Sequence, residues 1–110
     1  MRTDSERLRD IIESAEKISR YSRKGKNTFD EDELIRTWMV HHILLIGEAA
    51  SRITENFREK HDEIPWAGII GMRNIIVHEY FGIDYDEVWR TATNDLPSLI
   101  NEIRKILEQS

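Results

Sequence analysis

The run GMRNIIVHEY, residues 71–80, places an arginine, an amide, a histidine and a tyrosine within an otherwise apolar helical stretch. An α-helix turns by about 100° per residue, so with Arg73 at zero, Asn74 falls near 100°, His78 near 140° and Tyr80 near −20° on the helical wheel, in round figures. The apolar positions form a continuous stripe on the other side, made of Ile69, Met72, Ile75 and Ile76. The pattern predicts a helix that packs through an apolar back and presents polar groups at its front.

The composition limits the class of protein. The chain has 110 residues, which suits one domain over residues 1–110, and a chain of this length buries roughly 65% of its unfolded surface. It has no cysteine, which excludes disulfides and a cysteine nucleophile. No apolar run approaches the ~20 residues of a membrane span, so we expect a soluble, cytoplasmic protein. The formal net charge of −5 argues against nonspecific coating of nucleic acid.

Apolar residues recur at helical spacing along the chain, and no stretch alternates as a strand does. We expect a first helix over residues 4–23, one long helix over 31–60, a third over 65–81 and one or two more after Gly82. The long helix would measure roughly 45 Å, more than a small domain needs, so it would offer surface to a second subunit. The predicted fold is an all-α, up-and-down bundle of four to five helices that dimerises.

Local signals mark the ends of these helices. Thr3 with Glu6 resembles a capping box for the first helix, and Asp30 is a plausible cap for the second, after a turn over residues 24–28. Asp84 has the position of a cap for the helix that follows Gly82. Pro97 marks either a kink or the first turn of a separate final helix.

Small residues indicate where helices come close together. Gly47, followed by Ala49 and Ala50, allows close approach of another helix, so Glu48 either lies near an interface with a cationic partner or is an ordinary exposed acid. Gly68 and Gly71 are poor helix residues, and we expect them to let another backbone approach.

Residues 17–26 contain five basic side chains and no acidic one. Arg20, Arg23, Lys24 and Lys26 are therefore candidates for RNA contact. A solvated helix end, whose bases complement the helix dipole, explains the pattern equally well.

The histidines at 41 and 42 invite a metal interpretation together with Glu48, but they match no recognised ligand spacing. We expect no metal and no cofactor. His42 is expected to pack in the bundle or to find a hydrogen bond.

Arg73 and His78 combine a permanent cation with a side chain that exchanges a proton near neutral pH. On RNA, a base can activate the 2′-hydroxyl to attack the neighbouring phosphate while the guanidinium stabilises the phosphoryl oxygens. One histidine cannot easily serve both sides of one phosphate, so a symmetric dimer with two His78 side chains would complete the site. Spacing alone favours a structural role, in which Arg73 pairs with an acid and His78 packs in the core.

The motif over residues 72–80 resembles the Arg-x4-His-x-Tyr motif of HepT-like toxins in the HEPN superfamily. The surrounding runs agree with the resemblance across nearly the whole chain: IGEAA at 46–50, IPW at 64–66, DYDEVW at 84–89 and LP at 96–97. The resemblance implies an all-helical bundle that dimerises so that two motifs face one cleft. It also implies metal-independent endoribonuclease activity on tRNA or mRNA.

By position in that motif, the resemblance implies that Arg73 binds the phosphate, that His78 is the general base or acid, and that Asn74 orients His78 or contacts RNA. Glu48, whose alternatives are given above, is a candidate for a supporting role. The resemblance further implies that an MNT-type nucleotidyltransferase antitoxin transfers AMP to the hydroxyl of Tyr80, which would silence the toxin.

Two other functions are compatible with the sequence. The chain could be a noncatalytic helical adaptor that binds and regulates a nucleotidyltransferase, or a bundle in which Arg73 holds a nucleotide phosphate without cleavage. The intact motif favours the ribonuclease toxin.

Overall fold

The computed structural model describes residues 2–78 and 80–109, without the side chain of Tyr80, and every regular element in these ranges is helical. The all-α prediction is therefore confirmed. The helices are α1 (Asp4–Ser22), α2 (Lys26–Glu31), α3 (Glu33–Arg52), α4 (Glu55–Lys60), α5 (Trp66–His78), a 3₁₀ turn (Tyr80–Gly82), α6 (Tyr85–Arg90), a π-helical turn (Thr91–Asp95) and α7 (Leu96–Gln109).

Helix α1 begins where the sequence predicts. The Thr3 hydroxyl accepts a hydrogen bond from the Glu6 N–H, and the Glu6 carboxylate accepts one from the Thr3 N–H, each at 3.1 Å. This reciprocal pair satisfies two N–H groups that the first turn leaves without helical partners. The predicted boundaries of residues 4–23 are confirmed to within one residue.

The prediction of one long helix over residues 31–60 is wrong, because α2 already ends at Glu31 and capping residues then start two separate helices, α3 and α4. Asp32, not Asp30, caps α3: its carboxylate accepts hydrogen bonds from the Leu34 and Ile35 N–H groups at 2.9 and 3.2 Å. At the other end, Thr54 has an extended backbone (φ −60°, ψ 146°), and its side chain caps α4 through the Phe57 N–H. Helix α3 alone is about 30 Å long.

Helix α2 begins directly after Gly25, which has φ +94°, a value that favours glycine. The predicted turn over residues 24–28 therefore ends at Gly25. Helix α2 buries the Phe29 ring, whose centroid lies 5.1 Å from that of Trp89. The short helix thus ties the α1–α3 connection to α6.

Helix α3 lies at the centre of the bundle, with α1 and α5 packed against it, and α7 packs against α1. Helices α1 and α3 are antiparallel, because the Asp4 carboxylate at the start of α1 accepts hydrogen bonds from the Thr54 N–H and hydroxyl just beyond α3, at 3.0 and 2.7 Å. The core between these helices contains Leu8, Ile11, Ile18, Met39, Ile43, Ile46, Ala50, Ile64, Ile76, Ile100 and Ile103, among others.

The contact between α3 and α5 depends on Gly47. A Cβ added at this position would lie inside van der Waals contact of the Arg73 Cβ, and 3.3 Å from the carbonyl oxygen of Ile69. The predicted close approach at Gly47 is therefore confirmed. The same prediction for Gly68 and Gly71 is wrong within this chain, because a Cβ at either position would have no neighbour within 4 Å.

Helix α5 also departs from its predicted apolar stripe at one position. Ile76 is buried, and Ile69 and Met72 pack partly buried against the core, as expected, but the side chain of Ile75 is 57% exposed. Because α5 contacts essentially one helix, α3, its buried surface is narrower than its apolar surface.

The last helices follow their predicted signals. The Asp84 carboxylate caps α6 through the Asp86 and Glu87 N–H groups. In the π-helical turn that precedes α7, the Leu96 N–H donates to the Thr91 carbonyl, five residues back. A wider turn suits this position, because Pro97 lacks an N–H and its ring would press on the carbonyl four residues before it. Pro97 thus lies in the first turn of the final helix.

Within residues 2–78 and 80–109, no helix is both long and apolar enough to cross a membrane.

The substitutions Gly47→Ala and Gly71→Ala should have opposite effects on stability. The first places a Cβ against the Arg73 stem and should lower the free energy of unfolding by about 1–3 kcal/mol. The second fills open space on a helix and should raise it by up to ~1 kcal/mol. Urea unfolding followed by circular dichroism measures both, and equal effects would contradict the close approach at Gly47.

Candidate active site

The candidate site begins with Arg73, whose stem packs over Gly47 and whose guanidinium reaches the surface. Its side chain is 33% exposed, and its Nη2 lies 2.9 Å from the Glu48 Oε2. The Arg73 Nη1 donates to the Asn74 Oδ1 at 2.9 Å. The missing side chain at Gly47 therefore brings Glu48 within reach of Arg73, and two acceptors fix the guanidinium.

Glu48 bridges two arginines. Its Oε1 accepts a hydrogen bond from the Arg52 Nε at 2.7 Å, while its other oxygen faces Arg73. The Arg52 hydrogen bond and then the Arg73 charge hold the pKa of the Glu48 carboxyl below its ordinary value. Glu48 is therefore ionised at neutral pH, and its predicted cationic partner is found. Because its side chain is 38% exposed, solvent screens both pairs and their effect on stability is small.

His78 is the last residue of α5, and its side chain is exposed. In an ideal helix, residues five apart have Cα atoms about 9 Å from each other and point about 140° apart. Arg73 thus faces α3 while His78 faces solvent. Within one chain the two side chains line an open surface rather than a closed pocket.

Asn74 is exposed and contacts Arg73 through its amide oxygen. Its predicted action on His78 or RNA stays a prediction. The side chain of Tyr80, the predicted AMP acceptor, lies outside the described part of the chain, and the Tyr80 backbone starts the 3₁₀ turn two residues after His78.

The basic residues of the 17–26 segment lie at the end of α1 and the start of α2. Arg20 and Arg23 are exposed, and the Lys24 Nζ lies 5.6 Å from the ring centroid of Tyr21. Lys26 joins two helices, because its Nζ contacts the Asp30 and Asp86 carboxylates at 3.0 and 2.9 Å. Lys26 therefore has a structural contact, whereas Arg20 and Arg23 present free surface to solvent.

His42 packs in the bundle, which is the first of the two alternatives that the sequence predicted for it. It is 4% exposed, and its ring centroid lies 4.5 Å from that of Trp38 in an edge-on arrangement. Neither ring nitrogen has a hydrogen-bond partner among the described residues. Burial lowers the pKa of His42, helped by the neighbouring His41 and Lys17. No three potential metal-ligating side chains come together in the part of the chain that is described.

A cavity of about 460 Å³ lies on the other side of α5, between α3 and the C-terminal helices. It has an apolar floor that includes Ile46 and Leu99, and acidic groups at its edge that include Glu63 and Glu102. Arg73, Asn74 and His78 do not line this cavity. The candidate site is therefore separate from it.

The solvent-facing surface of α3 is apolar next to Glu48 and its two arginine partners, Arg52 and Arg73. Leu34, Trp38 and Leu45 are partly or largely exposed, and their spacing places them in one row with Glu48 and Arg52 along the helix. Arg52 was not predicted as a site residue, although its position four residues after Glu48 is a sequence signal for the contact.

Comparison with protein families gives one matching model, described as "Ribonuclease HepT-like", over residues 11–106. The match runs from Ile11 within α1 to Ile106 within α7. No solved structure gives a significant match to the chain.

Among curated relatives, "Putative RNase MJ1380" of Methanocaldococcus jannaschii is 37% identical over 97 residues, which are 87% of this chain and 89% of that protein. "Putative RNase TTE0752" of Caldanaerobacter subterraneus is 34% identical over 110 residues, covering 99% of this chain and 98% of that protein. "Probable ribonuclease HepT" of Thermococcus cleftensis is 33% identical over 106 residues, 96% of either chain. With the family model and these relatives all spanning most of the helical bundle, the chain belongs to the HepT-like ribonuclease family of the HEPN superfamily.

Proposed function

We propose that this protein is a metal-independent endoribonuclease and the toxin of a toxin–antitoxin pair. The main support is the geometry of α5. Glu48 on α3 and Asn74 on α5 hold Arg73 at the surface, and α5 ends in the exposed His78. A fixed guanidinium and an accessible imidazole on one helix are the groups that the cleavage of a phosphodiester needs. The ribonuclease names of the relatives support RNA as the substrate.

In the proposed reaction, a neutral His78 takes the proton of the ribose 2′-hydroxyl. The 2′-oxygen then forms a bond to phosphorus, and the bond from phosphorus to the 5′-oxygen breaks. A second, protonated His78 gives its proton to the departing 5′-oxygen. The products are a 2′,3′-cyclic phosphate and a 5′-hydroxyl, and Arg73 stabilises the charge that develops on the phosphoryl oxygens.

The second His78 comes from a second copy of the chain, since one imidazole cannot reach the entering and leaving oxygens together. Exposed apolar side chains on α3 and α5 support a dimer, because a second copy would cover them and remove them from solvent. These side chains are Leu34, Trp38, Leu45 and Val77. The open position of His78 fits the same arrangement.

Glu48 is the positioning residue of this site. It shares its two oxygens between Arg73 and Arg52, so the Arg73 guanidinium keeps one direction before a phosphate arrives.

Control of the toxin is proposed to act at Tyr80, two residues after His78. A nucleotidyltransferase antitoxin would transfer AMP from a nucleoside triphosphate to the Tyr80 hydroxyl, releasing diphosphate. The added phosphate charge and bulk beside Arg73 would occupy the position of RNA. Arg20 and Arg23, exposed at the end of α1, are proposed to contact RNA outside the cleavage site.

The substitution His78→Ala should lower RNA cleavage at least about 100-fold, since it removes both proton-transfer groups of a dimer. Wild-type cleavage should persist in EDTA and leave cyclic phosphate ends, which gel electrophoresis with phosphatase treatment detects. His61→Ala serves as the matched control and should cleave normally. Normal cleavage by the His78 variant would contradict the catalytic role of His78, absence of cleavage by the wild type would favour the adaptor function, and EDTA-sensitive cleavage would contradict the metal-independent mechanism.

Mixed dimers test whether both His78 side chains act on one phosphate. If they do, an equal mixture of wild-type and His78→Ala protein that has exchanged subunits should show about one quarter of the wild-type activity per total protein, the fraction of wild-type homodimers. Mixing with His61→Ala should leave activity unchanged. Retention of about half, or a monomer in sedimentation equilibrium, would rule out the shared site.

Incubation with the nucleotidyltransferase and ATP should increase the intact mass by AMP units and stop RNA cleavage. Tyr80→Phe should remain unmodified and active, because it lacks the acceptor hydroxyl, whereas the exposed tyrosine variant Tyr85→Phe should behave as wild type. AMP found on the Tyr80→Phe protein would refute the assignment.

A further inference from the structure

Arg52 lies next to the proposed phosphate-binding arginine. It is the last residue of α3, its side chain is 60% exposed, and its Nε binds Glu48 at 2.7 Å. The same carboxylate binds Arg73 at 2.9 Å through its other oxygen. The three side chains therefore form a row with one negative and two positive charges, so the row has a net charge of about +1.

Most N–H donors of the Arg52 guanidinium are available to a ligand. The contacts found for it among the described residues use only Nε, which leaves both terminal amino groups to donate. A guanidinium presents its donors in one plane, in a geometry that matches two oxygens of a phosphate. Glu48 orients this plane as it orients Arg73.

The stability of the fold does not explain why an arginine is present at position 52. Arg90 and Glu87 form a comparable pair within α6, also with a 60% exposed arginine and a distance of 2.6 Å. Exposed pairs of this kind contribute little to the stability of a fold. Arg52 differs from Arg90 in that its carboxylate partner also holds the arginine of the candidate site.

We propose that Arg52 binds a second phosphodiester of the RNA strand, next to the one that Arg73 holds. The inference rests on the proposed ribonuclease function and narrows its substrate class, because a ligand must contain two consecutive phosphodiesters to engage both arginines. A dinucleotide, which has one, engages Arg73 alone. The preferred substrate is therefore an RNA of three or more nucleotides.

The test compares Arg52→Gln with Arg90→Gln as the matched control. Binding is measured by fluorescence anisotropy with a random-sequence, uniformly 2′-O-methylated oligonucleotide, which cannot be cut because its nucleophile is capped. Loss of one phosphate contact should reduce the slope of log K against log salt by about 0.7. Arg52→Gln should also bind about tenfold more weakly, and Arg90→Gln should match the wild type.

Cleavage rates separate phosphate binding from a merely positioning role. Arg52→Gln should lower kcat/KM about tenfold more on a trinucleotide or longer RNA than on a dinucleotide, whose single phosphodiester does not engage Arg52. Equal loss on both substrates would mean that Arg52 acts only by holding Glu48, which overturns the inference, as would a salt slope equal to that of Arg90→Gln. A wild-type protein that neither binds nor cleaves RNA would overturn the proposed function, and the inference with it.

Discussion

The absence of a side chain at Gly47 determines how α5 lies on α3, and the candidate site depends on that contact. Because Gly47 has no Cβ, the aliphatic part of the Arg73 side chain packs against the α3 backbone. The Arg73 guanidinium can then contact Glu48, the residue that follows Gly47. One glycine thus sets both the packing of two helices and the position of a charge. Fold and site share this constraint, so neither can be altered there independently.

The sequence predicted elements whose signals are local. The Thr3–Glu6 capping box and the Asp84 cap were recognisable because each acts within three residues. The division of the long helix was missed, since the break at Thr54 depends on a tertiary contact. Thr54 is held by Asp4, 50 residues away in the sequence, and no periodicity can report such a contact.

The candidate site shows the same limit. The pairing of Glu48 with a cation was predictable from its small neighbours, and Arg52 could have been found from its spacing. The exposure of Ile75 could not, because it depends on α5 having a single close neighbour in the chain. His78 is exposed within the chain, and no local pattern of one sequence encodes the proposed second copy beside it.

The buried His42 has a consequence for the whole bundle. Both of its ring nitrogens are enclosed without a hydrogen-bond partner in the described part of the chain, and burial lowers its pKa. The folded chain therefore takes up this proton less readily than the unfolded chain, so acidification through the ordinary range of histidine favours unfolding. The acid tolerance of the protein is thus set partly between α1 and α3, at a residue that takes no part in the proposed cleavage.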